Sequence, residues 1–387
     1  MKFRRCQVLF VEPQERAEFS LENLLQGGGG LHFEQEIMAL AGHLDDPCRI
    51  EASDAQLLLA CSAQAWQDLP EEPGVREQIL RLIDRGLLVS DEGGQGVHVA
   101  ADNVMRASNW WPLGAIFHRH SRWSGVDSVS EMERHQLVTA QDLVRQLGAP
   151  PEEVLPRRHG AVALPRQSDM PLDEVLLRRV TCRNFDVSRP LPLSSLAGML
   201  EHVLMARSHV EPEPGVRFLK KNVPSAGGLH PMEAYVLVQA VEGLEAGLYH
   251  YHPVAHELGL VSNQPESAAD FSRRLLSGQH WFADAHVLII LVCRFERNFW
   301  KYRQHAKAYR AVTLDAGHIS QAIYTAATEQ GLGAFVTAAI NESEVEHVLG
   351  LEPLREGPLA VCGFGWRSLQ MQTAELDPAG RVWKAGA

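Results

Sequence analysis

Apolar residues in the first part of the chain recur mainly at helical spacing. The segments Ser53–Ala65 and Gly74–Arg85 are amphipathic and predict two consecutive helices. The stretch LLVSDEGGQGVHVA follows, and its two short apolar runs flank a turn that contains Gly93, Gly94 and Gly96. Strand-like runs around such a turn predict a hairpin. Paired helices and a hairpin wing together indicate a winged-helix-like region. Its acidic residues favour docking of a peptide or partner protein over DNA.

The second part of the chain alternates helical and strand patterns. Residues Leu193–Ala206 have the spacing of an amphipathic helix, and residues 305–330 predict a long buried helix that ends at Gly331. Near-continuous apolar runs at Glu233–Ala240 and His286–Cys293 are typical of strands covered on both faces. Between these two runs, the segment GLYHYHPVAHELGL predicts a hairpin.

A proline-rich segment, GAPPEEVLPRRHGAVALPRQSDMP, separates the two parts and lacks sustained periodicity. We therefore predict a linker there. The chain of 387 residues is also longer than one compact domain usually needs. The expected organisation is an N-terminal docking domain with the linker over residues 1–165 and a second domain over residues 166–387.

Charge and composition narrow the classes of partner. A formal net charge of −12 argues against general binding to nucleic-acid backbones, which requires a basic face. The sequence has no run of 18 apolar residues, so no membrane-spanning helix is expected. The apolar run Val8–Val11 is too short for a signal peptide. The six cysteines form no C-x-x-C pair, which favours reduced thiols and a cytoplasmic location.

The segment RRVTCRNF places two arginines and a hydroxyl group at alternate positions. In an extended segment, Arg179, Thr181 and Arg183 project to one side, and Phe185 follows as an apolar anchor. Guanidinium groups bind phosphate oxygens in bidentate fashion, so this set suits a phosphate or a polyol chain. Considered alone, the same residues are also compatible with a solvated basic turn.

A loop of small residues, PSAGG at Pro224–Gly228, comes just before the apolar run that begins at Glu233. Small residues allow backbone amides to approach a flat ligand closely. A Gly-Gly turn by itself is a weak indication of function. Here, however, the loop follows the segment that contains Arg179 and Arg183 (the arginine segment) and precedes a predicted buried strand. This position makes a ligand-binding role more credible.

Together these segments resemble the nitroreductase-fold flavoenzymes, and specifically the SagB-type dehydrogenases that mature ribosomal peptides. That family has the motifs R-x-S-x-R-x-F, P-S-x-G-x-x-x-P and G-L-Y-x-Y in this order. Here they stand at Arg179–Phe185, Pro224–Pro231 and Gly247–Tyr251. The resemblance covers residues 175–366 and implies an α+β, nitroreductase-like three-layer fold. In that fold a central, mostly antiparallel sheet is flanked by helices, and FMN is the cofactor.

The resemblance implies a role for each motif in holding FMN. Arg179 and Arg183 are expected at the phosphate and ribityl region, and Thr181 occupies the family's serine position. Arg367 is a candidate for a further phosphate contact near the C-terminus. One side of the isoalloxazine ring is expected to be lined by Pro224, Ser225 and Gly227. Backbone groups on the other side are expected from the loop after the long helix, at Gly331, Leu332 and Gly333.

The Lys301-Tyr302 pair matches the Lys-Tyr dipeptide that azoline-oxidising members of the family use at the active site. The downstream run from Tyr309 to His318 follows the family's Y-R-x-x-x-L-D-A-G-H pattern closely. Dehydrogenation removes a hydride, which FMN accepts, and a proton, which requires a base. An unperturbed lysine, with a pKa of about 10.4, is almost wholly charged at neutral pH, so it would need a lowered pKa to act as that base. The sequence does not distinguish Lys301 from Tyr302 as the base.

The expected function is therefore FMN-dependent dehydrogenation of a ribosomally synthesised precursor peptide, with azoline-to-azole oxidation as the best precedent. One alternative is an NAD(P)H-dependent flavin reductase of nitro compounds, quinones or peptide dehydroamino acids. Another is a non-catalytic scaffold that presents peptides. Expected partners are the precursor peptide, a cyclodehydratase or other modifying enzyme, and a second copy of the chain in a homodimer. No metal site is expected, since His118 and His120 lack further ligands of suitable spacing.

Overall fold

The structure of the protein is a computed structural model that describes residues 1–92, 96–155, 160, 162–166, 170–261 and 267–383. The chain divides into two compact units. Unit 1 comprises Met1–Arg122, Phe295–Tyr309 and Glu352–Arg355; unit 2 comprises Trp123–Arg294, Arg310–Leu351 and Glu356–Ala387. The boundary predicted at residue 165 lies within unit 2, and the division into domains at that residue stays a prediction.

The N-terminal part of unit 1 contains six strands and five α-helices among its described residues. The strands are β1 (Lys2–Arg5), β2 (Leu9–Phe19), β3 (Leu31–Ala41), β4 (Cys48–Ile50), β5 (Gln67–Asp68) and β6 (Leu88–Ser90). The helices are α1 (Leu21–Leu25), α2 (Ala52–Ala60), α3 (Pro73–Asp84), α4 (Val97–Ala107) and α5 (Pro112–His120). The strands form two antiparallel sheets, ordered β5-β1-β6 and β2-β3-β4.

The predicted hairpin wing is wrong. Gly93 and Gly94 of its turn lie outside the described residues, but Val97 belongs to helix α4 and not to a strand. The run VHVA has strand-like alternation over four residues. Over eleven residues, however, Val97, Val104 and Met105 follow helical spacing, and Met105 is buried. Strand β6 pairs with β1 instead of a wing strand.

The two predicted helices before the wing are present with shifted bounds. Helix α2 begins one residue before Ser53, and its N-cap is Glu51. The Glu51 backbone N–H donates to the Asp54 side chain at 3.3 Å, which satisfies a donor at the helix start. Helix α3 begins at Pro73, where a proline costs no helical hydrogen bond.

In the rest of the chain, the residues that the structure describes form eight strands and nine α-helices. The strands are β7 (Ser208–Glu213), β8 (Val216–Lys220), β9 (Met232–Val238), β10 (Gly247–His252), β11 (Glu257–Leu260), β12 (Val287–Arg294), β13 (Gly333–Thr337) and β14 (Glu356–Gly365). The helices are α6 (Ser128–Arg134), α7 (Ala140–Leu147), α8 (Pro171–Arg178), α9 (Leu193–Val203), α10 (Ala268–Leu275), α11 (His280–Ala283), α12 (Phe295–Lys301), α13 (Ala308–Glu329) and α14 (Glu342–Leu349). Helix α12 belongs to unit 1.

A six-stranded antiparallel sheet forms the centre of unit 2, in the order β11-β10-β9-β12-β14-β13. Its middle strand β12 is buried from Val287 to Cys293 because both of its faces are covered. Leu288, Ile290 and Val292 on one face join a core cluster with residues of α10, α11 and α14. The sheet and its covering helices confirm the predicted α+β, three-layer, mostly antiparallel nitroreductase-like fold, with a separate N-terminal part of sheets and helices.

The predicted long helix is α13, and the predicted buried strands are β9 and β12. The chain leaves α13 through Gly331, whose φ of 71° lies in the left-handed region that glycine adopts without strain. The next residue, Leu332, donates its N–H to the Ala327 carbonyl at 2.8 Å. This contact turns the chain directly into β13, so the cofactor loop predicted after the helix has a fixed conformation.

All six cysteines are free thiols in this structure. Burial raises the pKa of Cys6, Cys182 and Cys362 to about 12, so these thiols stay protonated at neutral pH. Among the described helices, none combines the length and apolar character that crossing a membrane requires.

The aromatic pair under β13 provides a stability test. Phe335 is fully buried, and its ring stacks on Phe282 with a centroid distance of 4.0 Å. We expect Phe335→Ala to lower the free energy of unfolding by about 3–5 kcal/mol, because it removes this contact and leaves a cavity. Urea denaturation measures the loss. The matched control is Leu260→Ala at a 65% exposed position, which should change stability by about 0.5 kcal/mol or less.

Candidate cofactor site and active-site residues

The arginine segment runs beside strand β13, which follows the predicted cofactor loop. Thr181 forms a parallel bridge with Ala334, and the Cys182 N–H donates to the Ala334 carbonyl at 2.8 Å. A Cβ atom on Gly333 would lie 2.4 Å from the Cys182 Sγ, so only glycine permits this approach. The structure therefore brings Arg179, Thr181 and Gly333 together, although they are distant in sequence.

Tyr324 of α13 holds Thr181, one member of this group, in position. Its hydroxyl is 3.0 Å from the Thr181 Oγ1 and accepts the Val336 N–H at 3.2 Å. The Arg179 guanidinium lies over the Tyr324 ring, 5.4 Å from its centroid. A half-buried arginine on an anchored ring has little freedom, which favours bidentate anion binding. Sequence reasoning missed Tyr324 because a tyrosine within a buried helix gives no distinguishing signal.

The PSAGG loop is tied to α13 by a buried carboxylate. The Asp315 side chain is 3% exposed and accepts the Ser225 hydroxyl at 2.5 Å and the Ala226 N–H at 3.0 Å. The Ser225 oxygen in turn accepts the His230 N–H at 2.9 Å. The residues Ala226–Gly228 form a single 3-10 turn in which Gly227 and Gly228 have φ of 63° and 69°. The loop is therefore held from inside the protein.

These contacts determine what Ser225 can offer to a ligand. The Ser225 hydroxyl donates its proton to the Asp315 side chain. The hydroxyl cannot then donate to a bound ring. A Cβ on Gly228 would meet no atom within 4 Å, so the glycine side of the loop is open. Backbone groups of the turn are consequently better suited to contact a flat ligand than the Ser225 side chain.

The two contact points on α13 lie on opposite sides of the helix. Asp315 and Tyr324 are nine residues apart, which corresponds to about two and a half turns. The Ser225 loop and the Thr181 segment therefore meet α13 from opposite directions. One copy of unit 2 thus gathers Arg179, Thr181 and Gly333 on one side of α13 and the Ser225 loop on the other.

The C-terminal segment closes over the arginine segment through Glu375. This carboxylate, with a side chain that is 0% exposed, pairs with the Arg367 guanidinium. It also accepts the Arg183 N–H at 2.6 Å, the Asn184 N–H at 3.1 Å and the Trp383 Nε1–H at 2.9 Å. Arg367 further donates to the Val180 carbonyl at 3.2 Å. The structure thus gives Arg367 internal partners, whereas Arg183 contributes only its backbone to this network and carries a half-buried side chain.

Two opposing effects set the pKa of Glu375. Burial alone raises the pKa, but the hydrogen bonds from Arg183 and Trp383 and the charge of Arg367 outweigh it and hold the pKa below its usual range. Glu375 is therefore ionised at neutral pH. Nothing in the sequence indicated this residue, because a single glutamate in an irregular segment has no recognisable pattern.

Lys301 and Tyr302 belong to unit 1, whereas every predicted cofactor residue belongs to unit 2. Lys301 is the last residue of α12, and its side chain is exposed. Its Nζ lies 5.6 Å from the centroid of the half-buried Tyr302 ring, within cation–π range. The pair is therefore adjacent in space as well as in sequence.

His118 has a packing role in unit 1. Its Nε2 is 2.9 Å from the Pro353 carbonyl, and its Nδ1 is 3.3 Å from the Tyr309 hydroxyl. Burial lowers the pKa of His118 to about 3, so the ring stays neutral. Across the part of the chain that the structure describes, no group of three or more histidine, cysteine or acidic side chains is arranged to hold a metal.

Two comparisons with known proteins indicate the same family. The sequence model of the Nitroreductase family matches residues 176–366. A protein named as a nitroreductase, MJ1384 of Methanocaldococcus jannaschii, is 31% identical over 204 residues, which cover 53% of this chain and 95% of that protein.

Two further relatives are named for peptide processing. The trifolitoxin-processing protein TfxB of Rhizobium leguminosarum bv. trifolii is 37% identical over 149 residues, which cover 37% of this chain and 38% of TfxB. The microcin B17-processing protein McbC of Escherichia coli is 28% identical over 167 residues, which cover 42% of this chain and 59% of McbC. The matches thus span 38% of TfxB and 59% of McbC, less than two thirds of either protein.

The buried ion pair of Glu375 yields a pH-dependent prediction. We expect Glu375→Gln to lower the free energy of unfolding by about 3–5 kcal/mol at pH 7, because it leaves Arg367 without its counter-charge. A lowered folded-state pKa stabilises the fold above the unfolded pKa, about 4.3 for glutamate, and this contribution is lost as pH falls through the folded pKa. The difference between wild type and variant should therefore shrink below about pH 4.3.

Urea denaturation at neutral and acidic pH measures both effects. The control is Glu174→Gln, which removes a 57% exposed partner of Arg178 and should cost about 0.2–1 kcal/mol. An equal loss of stability in the two variants would contradict a structural role for the buried pair.

Proposed function

Because the chain belongs to the nitroreductase family, we propose that it is an FMN-dependent dehydrogenase that acts on a ribosomally synthesised precursor peptide. Oxidation of an azoline to an azole is the reaction type that we favour. The observation that carries this proposal is the similarity to TfxB and McbC, whose names record the processing of trifolitoxin and microcin B17. The Lys301-Tyr302 pair is consistent with it.

The side chains and backbone groups that unit 2 offers to a ligand suit FMN. The half-buried guanidiniums of Arg179 and Arg183 provide positive charge beside the Thr181 hydroxyl, which suits a phosphate on a polyol chain. The open glycine side of the PSAGG loop and the backbone of Gly331–Gly333 suit a flat ring system. Arg179 is the cation that we expect to contribute most, because Tyr324 already orients it. Arg367 is the weakest of the predicted contacts, since Glu375 neutralises it.

The bound flavin would accept the hydride that leaves the substrate carbon. A base must remove the proton from the adjacent atom, and we propose that Lys301 or Tyr302 does so. For Lys301 to act as the base, substrate or cofactor would have to shield its exposed side chain from water. Tyr302 is the alternative base, or it orients the substrate.

The same proposal includes three binding partners: a second copy of the chain, the precursor peptide and a cyclodehydratase-type enzyme. The contacts of α13 support a homodimer, because the Ser225 loop and the arginine segment lie on opposite sides of this helix and two copies would let one flavin reach both. We further propose that the N-terminal region docks the leader of the precursor peptide or a cyclodehydratase-type enzyme, which would raise the local substrate concentration. A cytoplasmic location fits a precursor peptide made by ribosomes.

A second candidate is an NAD(P)H-dependent flavin reductase. The relative MJ1384 favours it, since the similarity covers 95% of a protein named as a nitroreductase. A third, a non-catalytic scaffold, would bind the precursor peptide tightly without flavin.

Replacement of Arg179 tests the cofactor site. We expect purified protein to bind FMN with a change in the flavin absorption bands, and Arg179→Ala to weaken binding about tenfold or more, because it removes a charge-assisted contact to the phosphate. Titration with FMN measures both. The adjacent Arg178→Ala, whose side chain pairs with Glu174 at 3.6 Å, should bind FMN as wild type does. A wild-type protein that never binds FMN would reject the flavoenzyme proposal.

Replacement of Lys301 separates the two enzymatic candidates. We expect Lys301→Ala to slow dehydrogenation of an azoline-containing peptide by about 10²–10⁴-fold, because the proton acceptor is lost, while FMN stays bound. Lys307→Ala, at another exposed position of unit 1, should retain the rate. Rapid NAD(P)H consumption with small acceptors that is unchanged in Lys301→Ala would favour the reductase instead. Tyr302→Phe then distinguishes the two possible bases.

A further inference from the structure

Two consecutive residues of the N-terminal region contact the chain just before and just after the Lys301-Tyr302 pair. Before the pair, the Trp110 ring packs edge-on against Phe299 of α12, with a centroid distance of 4.6 Å. After the pair, the Gln304 N–H donates to the Asn109 carbonyl at 2.8 Å. Phe299 and Gln304 each lie two residues from the pair, so the two contacts bracket it. We call Asn109 and Trp110 the clamp.

The Trp110 side chain of the clamp is itself restrained within unit 1. It is 3% exposed, and its Nε1–H donates to the Leu354 carbonyl at 2.8 Å. Its ring also lies 4.7 Å from Phe295 and stacks on His118 at 5.1 Å, measured between ring centroids. The hydrogen bond fixes one end of the ring, since a buried N–H without a partner would cost free energy. The aromatic contacts then fix its plane.

The start of α12 is held by the same part of unit 1. The Phe295 N–H donates to the Arg355 carbonyl at 2.8 Å, one residue beyond the carbonyl that Trp110 binds. The His118 Nε2 lies 2.9 Å from the Pro353 carbonyl in the same short segment. The clamp, α12 and residues 352–355 therefore form one connected group of contacts within unit 1.

The backbone conformation after the pair also depends on the clamp. Gln304 has a φ of 49°, in the left-handed region that residues other than glycine rarely adopt. Such a conformation costs free energy and persists where neighbouring contacts determine it. Here the neighbouring contact is the hydrogen bond to the Asn109 carbonyl, and within the same turn the His305 N–H donates to the Tyr302 carbonyl at 3.3 Å. Tertiary contacts thus stabilise the turn that follows the pair.

This restraint of the backbone matters because the side chains of the pair are not enclosed. The Lys301 side chain is exposed, and that of Tyr302 is half-buried. Since packing restrains such side chains little, their placement depends on the backbone that carries them. A proton acceptor must lie within hydrogen-bond reach of the proton that it removes, and a displacement of about 1 Å can lower a rate about 10²-fold.

We propose that Trp110 is a positioning residue for the Lys301-Tyr302 pair, which it holds in place through Phe299 and the end of α12. The inference rests on the proposed function, in which this pair removes the substrate proton. It gives the N-terminal region a second role: besides docking a peptide or partner, this region contributes to the rate of the chemical step.

Replacement of Trp110 by leucine in the full chain, loaded with FMN, tests this role. Leucine keeps the position apolar but removes the aromatic contacts and the Nε1–H. With an azoline-containing peptide, we expect Trp110→Leu to lower kcat about 10- to 100-fold, while KM and the FMN dissociation constant stay within about twofold of wild type. Trp110→Phe retains a ring against Phe299 and should recover most of the lost kcat. A raised KM at unchanged kcat would overturn the proposal, because Trp110 would then serve peptide binding.

A less stable unit 1 would also lower kcat, and Leu82→Ala controls for this effect. Leu82 of α3 is buried like Trp110, but it belongs to a core cluster with Phe3, Leu58 and Leu88. We expect this variant to unfold at lower urea concentration and to keep the wild-type kcat at a temperature where the protein is folded. A fall of kcat as large as that of Trp110→Leu would overturn the positioning role.

Hydrogen exchange measured by mass spectrometry examines the clamp without an enzymatic assay. In Trp110→Leu, the amides of residues 299–305 should exchange about tenfold faster than in wild type, because a contact that holds them is lost. Unchanged exchange in this segment would overturn the proposal. A wild type that binds FMN but does not dehydrogenate the peptide would reject the proposed function, and the exchange rates would still decide whether Trp110 holds the segment.

Discussion

The candidate cofactor site depends on the contacts that α13 makes in its buried positions. A carboxylate at Asp315 holds the PSAGG loop through the Ser225 hydroxyl and the Ala226 N–H. Further along the helix, the Tyr324 hydroxyl holds the arginine segment at Thr181. Each contact uses a polar group that would cost free energy if it were buried without a partner. The helix therefore sets the position of both loops at once, and the loops need little stability of their own.

This arrangement explains how segments that are distant in sequence are positioned by the same helix and sheet. The arginine segment adds to β13 by a bridge between Thr181 and Ala334, and Gly333 lacks the side chain that would prevent it. The PSAGG loop leads into β9, a strand that pairs on both sides within the six-stranded sheet. Catalytic and binding loops placed on a rigid sheet and helix in this way keep their geometry while their exposed side stays open to a ligand.

Most of the unit 2 fold could be predicted from the sequence, and the reason is the strength of its periodic signals. Strands β9 and β12 are apolar over most of their length, and α13 repeats at helical spacing over 22 residues. The prediction of a hairpin wing was wrong because the four residues VHVA fit the strand period as well as the helical period. The longer helical pattern of α4 was therefore overlooked. Tyr324 and Glu375 could not be predicted, since their roles arise from tertiary neighbours that a local pattern does not contain. The comparisons confirm the family, whereas the role of each site residue stays a prediction.

The buried Glu375 also bears on how the protein is made. Its partner Arg183 lies 192 residues earlier in the chain, so the contact closes one of the longest loops of the fold. During synthesis, the arginine segment leaves the ribosome long before the carboxylate that completes its hydrogen bonding. Until Glu375 emerges, the Arg183 and Asn184 amides lack this acceptor and hydrogen-bond to water instead. The hydrogen bonding of this segment is thus completed only after residue 375 has been translated.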